Sequence, residues 1–544
     1  MTKIINLFFS LLVPALTGVL TALAFPNYHF DWLAWIAFVP LLLGIRGRKP
    51  CQAFFLCWFC GVIFFLGITP WWIKEFQFVS IFASGLGYLY LGFYFGLFGL
   101  FLSLFLRRSK LPLLIAAPVW VVFEYLRSNL SFLAFPWALL GHTQYLNLPL
   151  IQMASFTGVY GVSFIIMLAN AAIADVLACL FSPSPSSLSP AFAGTLRAGR
   201  RQRRGGFDFN PLYRGGISLG IILVLWIVGV QAIPRNLFGK PFSVAVVQGN
   251  IPQKIKWDRQ YREQIISQYE SLTEEAAKSK PQLIVWPEAS TPGFVLTDHS
   301  LLRRMGSLIT RLNSYFLIGS AEYPKFFKAS SKRKLSPGNA ALCFSSEGKI
   351  LGQYLKIRLV PFGEYIPYDK IIPWPDFIVQ RGKRKFEIAG NEATLFRVDG
   401  IQFGTLICWE VLFPDLTRNL VNKGANFVIN LTNEAWFGKI AFPYQMLSSC
   451  VFRAVENRVN LVRCANTGIS CFIDPYGRIT GRVTNGGEDI FVSGTLTRKI
   501  LIFPPGTFYT RQGDLLVYGS IAFLLIIVVW TCIKRIGPLV RRKT

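Results

Sequence analysis

The sequence predicts an α-helical transmembrane bundle of about eight helices joined to a large extramembrane α/β domain, and three observations carry that reading. Of 544 residues, 52% are hydrophobic and only 15% are charged, against about 25% charged in an ordinary soluble domain. Long uncharged runs crowd the N-terminal part: Asp, Glu, Lys and Arg are absent between Lys3 and Asp31, Lys49 and Lys74, and Glu75 and Arg107. From 237 to 512 the texture changes, with dispersed charge and short apolar runs that alternate with longer amphipathic ones. The 49 Phe, 14 Trp and 19 Tyr exclude a disordered chain. Ten Cys in a chain of this length are too sparse for a disulfide scaffold.

The membrane elements come first along the chain. Besides the three uncharged runs, spans are expected at 32–45, 111–126, 160–182 and 215–234, and a last one from Leu515 to Ile533. A bilayer core needs roughly 20 apolar residues per helix; 32–45 and 111–126 are short, and the second contains Glu124. Seven helices thus fall in 1–236 and the eighth in 513–544, with the extramembrane domain at 237–512. Basic residues set the orientation. Arg46, Arg48 and Lys49 follow the second span, Arg107, Arg108 and Lys110 the fourth, six Arg between 197 and 214 the sixth, and Lys534, Arg535, Arg541, Arg542 and Lys543 the eighth. The alternate loops are nearly bare, so both termini are expected in the cytoplasm and residues 237–512 outside it. Much of the +28 formal charge is therefore topological, and nucleic acid is not an expected partner. The Ser/Pro stretch 182–190 and the Arg/Gly stretch 197–206 read as a solvated cytoplasmic linker.

Within the insert, strands are expected at 242–248, 282–286, 315–319, 339–345, 402–408, 426–431, 460–465 and 490–496, and helices at 258–278, 298–313, 413–423 and 441–458. Val/Ile/Leu-rich strands without alternation point to sheets covered on both faces. Active groups are then expected at strand ends.

Four segments put chemistry there. In LIVWPEAS (283–290) a strand breaks at Pro287 and delivers Glu288. YLKIRLVPFGEYIP (354–367) carries Lys356 and Glu364. FGTLICWEVLFPD (403–415) ends a buried strand at Cys408, with Glu410 two residues on. INLTNEAWFG (429–438) runs a strand into a polar turn. A thiolate nucleophile, a carboxylate base and an ammonium that stabilises an oxyanion are the three functions that acyl transfer through a thioester requires. Only His29, His142 and His299 are present, none near these segments, so a Cys–His pair or a His-based metal site has no support. Five Cys lie in the insert (Cys343, Cys408, Cys450, Cys464 and Cys471); five is odd, so at least one is unpaired.

The joint pattern WPE, K-x-x-L-V-P-F-G-E and C-W-E resembles the nitrilase, or carbon–nitrogen hydrolase, superfamily. Joined to an eight-helix membrane domain, it resembles the apolipoprotein N-acyltransferase family. VVQGNIPQKIKWD (246–258), FPW (135–137), G-x-Y-G-x-S-F (158–164), RAVENR (453–458) and ANTGIS (465–470) extend the likeness. The resemblance implies an α-β-β-α sandwich outside the cytoplasmic membrane of a bacterium. It implies Glu288 as general base, Lys356 as the oxyanion-stabilising cation and Cys408 as the acylated nucleophile. Glu364 would support the lysine and the base, Trp409 and Glu410 would flank the nucleophile where the second substrate enters, and Trp257 would stand at the lipid-facing mouth. A membrane phospholipid would donate the acyl chain, and the N-terminal S-diacylglyceryl cysteine of an apolipoprotein would accept it. No cofactor and no metal are implied, and a monomer is expected. Two positions depart from the family pattern: Glu434 follows Asn433 where Asp is usual, and Met446 follows Gln445 where His is usual. Neither is given a role.

Water must be kept from the thioester, and Pro292–Leu296 and the basic stretches 325–334 and 381–386 are the loop candidates, the basic ones reading first as solvated loops. Trp71, Trp72, Phe135, Trp137 and the uncharged segment 128–159 supply apolar surface, read first as packing. Two other readings stay open here. One is a membrane-anchored amidase or nitrilase with water as acceptor; the other is a transporter built around Glu124 and Asp175.

Overall fold

The computed structural model describes residues 2–26, 28–75, 81–109, 112–181, 211–323, 337–375, 388–439 and 441–540. The stretches 182–190, 197–206, 325–334 and 381–386 lie outside the described residues. In the N-terminal part the chain forms α1 (Thr2–Leu23), α2 (Val39–Ile45), α3 (Pro50–Ile68), α4 (Trp71–Glu75), α5 (Ile81–Ser109), α6 (Ala116–Asn129), α7 (Val159–Leu180) and α8 (Pro211–Ala232). Five described helical segments are long and apolar enough to cross a membrane: Pro50–Ile68, Ser84–Arg107, Val159–Leu180, Pro211–Ala232 and Leu515–Lys534.

Two expected spans differ from the prediction. Residues 32–45 break into a 3₁₀ turn, Asp31–Trp35, and the short α2. Pro40 explains the restart, since it has no N–H to give and fits only the first turn of a new helix. The span expected at 111–126 starts later, after Pro112 and a 3₁₀ turn at Leu113–Ile115, and runs 14 residues as α6. At about 1.5 Å per residue that is shorter than a hydrocarbon core.

The intramembrane charges build loops. Glu124 accepts from the Leu140 N–H at 2.6 Å. Arg127 donates to the carbonyls of Phe135 (3.1 Å), Trp137 (2.6 Å) and Ala138 (3.4 Å). Together they fold the irregular segment after α6 back onto the bundle, where its backbone groups find partners. Asp175 accepts from Leu113 N–H at 3.1 Å and lies within 4.0 Å of Arg46 and 3.8 Å of Arg214. Both carboxylates are thus used by the architecture, and the transporter reading loses its motive.

The insert is two six-stranded sheets packed face to face. The first, in the order β12-β1-β2-β3-β4-β5, comprises β1 (Lys240–Gln248), β2 (Leu283–Trp286), β3 (Tyr315–Glu322), β4 (Gly338–Phe344), β5 (Ile350–Leu355) and β12 (Gly494–Ile502). The second, in the order β11-β10-β9-β8-β7-β6, comprises β6 (Leu395–Val398), β7 (Ile401–Ile407), β8 (Phe427–Thr432), β9 (Asn460–Ala465), β10 (Cys471–Ile473) and β11 (Ile479–Arg482). The centre of each sheet is parallel, β1-β2-β3 and β7-β8-β9. Parallel neighbours need crossover helices: α9 (Arg262–Ala277) and α10 (His299–Leu312) serve the first sheet, α11 (Pro414–Asn422) and α12 (Phe442–Asn457) the second. Val244, Val246, Val285 and Leu317 meet Phe403, Phe427, Ile429 and Val462 between the sheets, while Ala245, Val247, Ile284 and Ile318 face α9 and α10. Both faces of these strands are buried, which is why they read as continuous apolar runs. The result is the expected α-β-β-α sandwich. The chain ends in α13 (Leu515–Val540).

Helix α12 is shared between the two parts of the chain and is buried along its whole length. Its Gln445 accepts from Trp137 Nε1 at 2.6 Å and donates to the Ile68 carbonyl at 2.8 Å. Glu456 accepts from the Val159 N–H at 3.0 Å, at the start of α7. Around this seam Trp71, Trp137, Phe437 and Phe442 form an aromatic cluster with ring centroids 3.8 to 5.5 Å apart. Trp71 and Trp137 are fully buried there, so they pack the two domains together. We predict that Gln445→Ala, which strands two buried polar groups, lowers stability by about 1–3 kcal/mol. Thermal unfolding of the purified protein in detergent checks this.

Candidate active site

The site lies where the ends of β2, β5, β7 and β8 converge. At the end of β2, Pro287 stops the ladder and the chain turns at Ala289, whose φ is +45°. Gly319 on the neighbouring β3 lets that turn pass, because a Cβ there would stand 2.2 Å from the Pro287 carbonyl oxygen and 2.8 Å from Glu288 Cα. The turn points Glu288 inward, where it is buried. Its Oε1 accepts from Asn339 Nδ2 at 2.6 Å and its Oε2 from the Asn433 N–H at 2.7 Å. Asn339 comes from β4 and Asn433 follows β8, so both sheets hold this one carboxylate.

Lys356 follows β5 and is buried. Its Nζ is 2.5 Å from Glu364 Oε1 and 3.8 Å from Glu288 Oε1, so one ammonium lies between two carboxylates. Glu364 is fixed in turn by the Val360 N–H on Oε2 at 2.7 Å. Cys408 follows β7 in a left-handed backbone conformation, φ +57°, at the first residue of a 3₁₀ turn, Cys408–Leu412. Asn430 Nδ2 holds this corner through the carbonyls of Leu406 (3.2 Å) and Cys408 (3.1 Å). Burial pushes the Cys408 thiol well above its ordinary value, the charge of Glu288 adds to the rise, and Lys356 opposes it. At neutral pH the resting sulfur is therefore a thiol, and forming the nucleophile requires a base. Glu288 is the carboxylate whose field the sulfur feels most.

Glu410 is fully buried and accepts four hydrogen bonds: Ile357 N–H (2.6 Å) and Arg358 N–H (2.9 Å) on Oε1, and Tyr354 Oη–H (2.8 Å) and Ile407 N–H (2.7 Å) on Oε2. Burial raises it to about 6 while those donors pull it down. Glu410 thus rivets the segment carrying Lys356 to the segment carrying Cys408. Trp409 does similar work: its Nε1 donates to the Arg358 carbonyl at 2.5 Å and its ring meets Phe413 edge-on at 5.1 Å. The polar atoms of both residues are thus engaged in bracing the site. Trp257 is 52% exposed. Trp436, at 41%, is similarly exposed.

Sequence reasoning missed Asn339, Asn433 and Lys256. Lys256 is 3% exposed, and its Nζ donates to the Glu288 carbonyl at 3.0 Å. It sits in Gln253-Lys254-Ile255-Lys256-Trp257-Asp258, where nothing in the sequence sets it apart from Lys254. The two departures from the family pattern now have places. Glu434 forms a fully buried ion pair with Arg463, which also binds Asn430 Oδ1. A Cβ at Gly468 would collide with Glu434 Oε2, so that glycine makes room for the longer acid. Met446 is core. The loop Pro292–Leu296 is tied down, with Glu322 accepting from Val295 N–H (2.6 Å) and Leu296 N–H (3.2 Å). All ten Cys are free thiols, and no His, Cys, Asp and Glu cluster suited to a metal ion occurs among the described residues.

The sandwich with its buried carboxylate and ammonium and its half-buried thiol defines a carbon–nitrogen hydrolase type of catalytic domain, and residues 243–499 match the carbon–nitrogen hydrolase family. Residues 17–172 match the apolipoprotein N-acyltransferase N-terminal domain. An apolipoprotein N-acyltransferase from Geobacter metallireducens is 35% identical over 94% of this chain and 93% of its own length. One from Chlorobaculum tepidum is 25% identical over 96% of each. Among solved structures, an amidase from Nesterenkonia sp. aligns with 53% of this chain and 98% of its own at 17% identity and a TM-score of 0.36. The chain belongs to the apolipoprotein N-acyltransferase family.

Two outcomes follow. Glu410→Gln sets an amide NH₂ against existing donors and is expected to cost about 1–3 kcal/mol of stability, read by thermal unfolding, and to slow acylation in parallel. Alkylation of Cys408 by iodoacetamide without substrate should climb with pH and show no plateau below the ordinary thiol value of 9.0. A plateau near neutrality would mean a preformed thiolate.

Proposed function

We propose that this enzyme takes a fatty acyl chain from a membrane phospholipid onto Cys408 and passes it to the α-amino group of an N-terminal S-diacylglyceryl cysteine on an apolipoprotein. The observation that carries the reading is the convergence of Glu288, Lys356 and Cys408 in a sandwich packed on apolar helices. Glu288 takes the thiol proton, and the thiolate attacks the ester carbonyl. Lys356 stabilises the oxyanion. Collapse breaks the C–O bond, and the departing lysophospholipid alkoxide receives the proton from Glu288. In the second half the amine attacks the thioester and gives its proton to Glu288. The C–S bond breaks, and Glu288 returns that proton to the sulfur. Ester and amine become alcohol and amide, a downhill exchange that needs no nucleotide. The relatives are named as acyltransferases, which favours an amine over water as acceptor.

The topology we propose has eight crossings: seven in 1–236 and one in 513–544. Both termini lie in the cytoplasm of a bacterial inner membrane, and residues 237–512 form the periplasmic catalytic domain of a monomer. The distribution of Lys and Arg supports it. A domain outside the cytoplasm has no access to ATP or acyl-CoA, so its acyl donor must already be activated, as a phospholipid ester is. The apolar seam of Trp71, Trp137, Phe437 and Phe442 supports a site facing the bilayer. Trp257 and Trp436, exposed and aromatic, suit its lipid-facing rim.

Intact-mass analysis of protein incubated with phospholipid vesicles tests this. A fatty-acyl adduct should map to Cys408, be absent in Cys408→Ala and Glu288→Gln, and form at least about a hundredfold more slowly in Lys356→Ala. An adduct persisting in Cys408→Ala would sink the assignment.

A further inference from the structure

Lys256 is a buried charged group of the site that the chemistry above does not use. A Lys ammonium out of water is costly unless it is paired or hydrogen-bonded, and here its donor reaches a neutral partner, the main-chain carbonyl of Glu288 at 3.0 Å. The segment that carries it is pinned from the other side. Asn466 Oδ1 accepts from Ile251 N–H at 2.9 Å, and Asn466 Nδ2 donates to the Ile251 carbonyl and to Asn433 Oδ1, at 2.8 and 2.9 Å. Asn433 Nδ2 donates to Gln253 Oε1 at 2.8 Å. Asn433 is the residue whose N–H holds Glu288 Oε2. The segment after β1 therefore reaches Glu288 twice, through Asn433 to its carboxylate and through Lys256 to its carbonyl. The next residue is the exposed Trp257.

We propose that Lys256 is a positioning residue for the acylation step: its ammonium clamps the Glu288 carbonyl, aims the carboxylate at Cys408, and couples that aim to the segment bearing Trp257. The inference rests on Glu288 being the base and Cys408 the nucleophile. Burial brings the Lys256 ammonium down to about 8, and the charges of Glu288 and then Cys408 oppose that fall. Ser290 ties the far side of the Pro287 turn to β3, its N–H and hydroxyl both donating to the Gly319 carbonyl at 2.7 and 2.8 Å. Lys256 holds the near side, at the carbonyl of Glu288 itself.

Lys256→Met keeps the unbranched stem and removes the donor and the charge. With phospholipid vesicles, it should slow acyl-adduct formation on Cys408 by about tenfold to a hundredfold, since misplacing a catalytic group by about 1 Å can cost about 10²-fold. The KM for the vesicle lipid should stay within about twofold, because a residue acting on the chemical step alters kcat and leaves ground-state binding alone. Substrate-free alkylation of Cys408 by iodoacetamide, scored per folded molecule, should slow in step. Normal acylation and alkylation in folded Lys256→Met overturn the proposal. So does a fall in melting temperature with alkylation per folded molecule unchanged, which would make Lys256 merely structural. Glu288→Gln run alongside separates the two readings: if it too acylates normally, the base assignment itself has failed.

Discussion

One buried ammonium between a buried carboxylate and a half-buried one governs this structure. Lys356 faces Glu364 at 2.5 Å and Glu288 at 3.8 Å, and charges removed from water persist only where their remaining valences are met. Asn339, the Asn433 N–H and the Val360 N–H meet them. These groups come from four places: the start of β4, the turn after β5, the end of β8 and the end of β2. No single segment could supply them, so the sandwich must bring strand ends of both sheets to one point. The unusual backbone follows from that demand. Ala289, Phe362 and Cys408 all adopt positive φ beside the row, and such conformations hold only where the surroundings over-determine them.

The second constraint joins this centre to the helices. Arg453 of α12 donates to the Leu412 carbonyl, which ends the turn begun by Cys408, and to Glu456 at 2.8 Å. Glu456 in turn accepts from Val159 at the head of α7. Burial pushes Glu456 up to about 7, and Arg453 opposes it most strongly. A continuous polar chain therefore runs from the nucleophile's turn to the membrane-associated bundle. The apolar seam around Trp137 and Phe442 encloses its neighbourhood, and α12 is as much a part of the bundle as of the sandwich.

The elements legible in the sequence were those whose burial is uniform. β1, β2, β8 and β9 are buried on both faces and read as apolar runs; α9 to α12 follow from amphipathic spacing and from polar or proline starts. β5, β6, β10 and β11 were not foreseen. They are short, lie toward the sheet edges and mix exposed with buried positions in β5, β6 and β11, so no period stands out. β12 was expected at 490–496 and runs Gly494–Ile502, because its register is set by pairing with β1, which local sequence does not record. In the site, Glu288, Lys356, Glu364 and Cys408 stood out because a strand ended at or near each and the joint pattern is specific. Asn339, Asn433 and Lys256 did not, since an amide or a single Lys becomes meaningful only when folding sets it against Glu288. The same reason hid the bracing by Glu410: its four donors come from two segments, 354–358 and Ile407, and only Ile407 is near it in sequence.

The burial of Cys408 bears on how a fold shared with amide hydrolases can favour an amine acceptor. A thiol raised by burial and by the facing carboxylate stays neutral until a substrate arrives, so the resting enzyme offers no exposed thiolate to stray electrophiles. The thiol is half-buried. Toward the helices the domain ends in a closely packed aromatic seam, with Phe437 and Phe442 stacked at 3.8 Å and Trp71 against both. The segments carrying Cys408 and Lys356 are riveted to each other by Glu410. An acceptor whose own hydrocarbon tails can lie along the apolar side enters where bulk water is disfavoured. Selectivity for a lipid-bearing amine over water then follows from the same desolvation that makes Cys408 depend on Glu288, without a separate device to repel water.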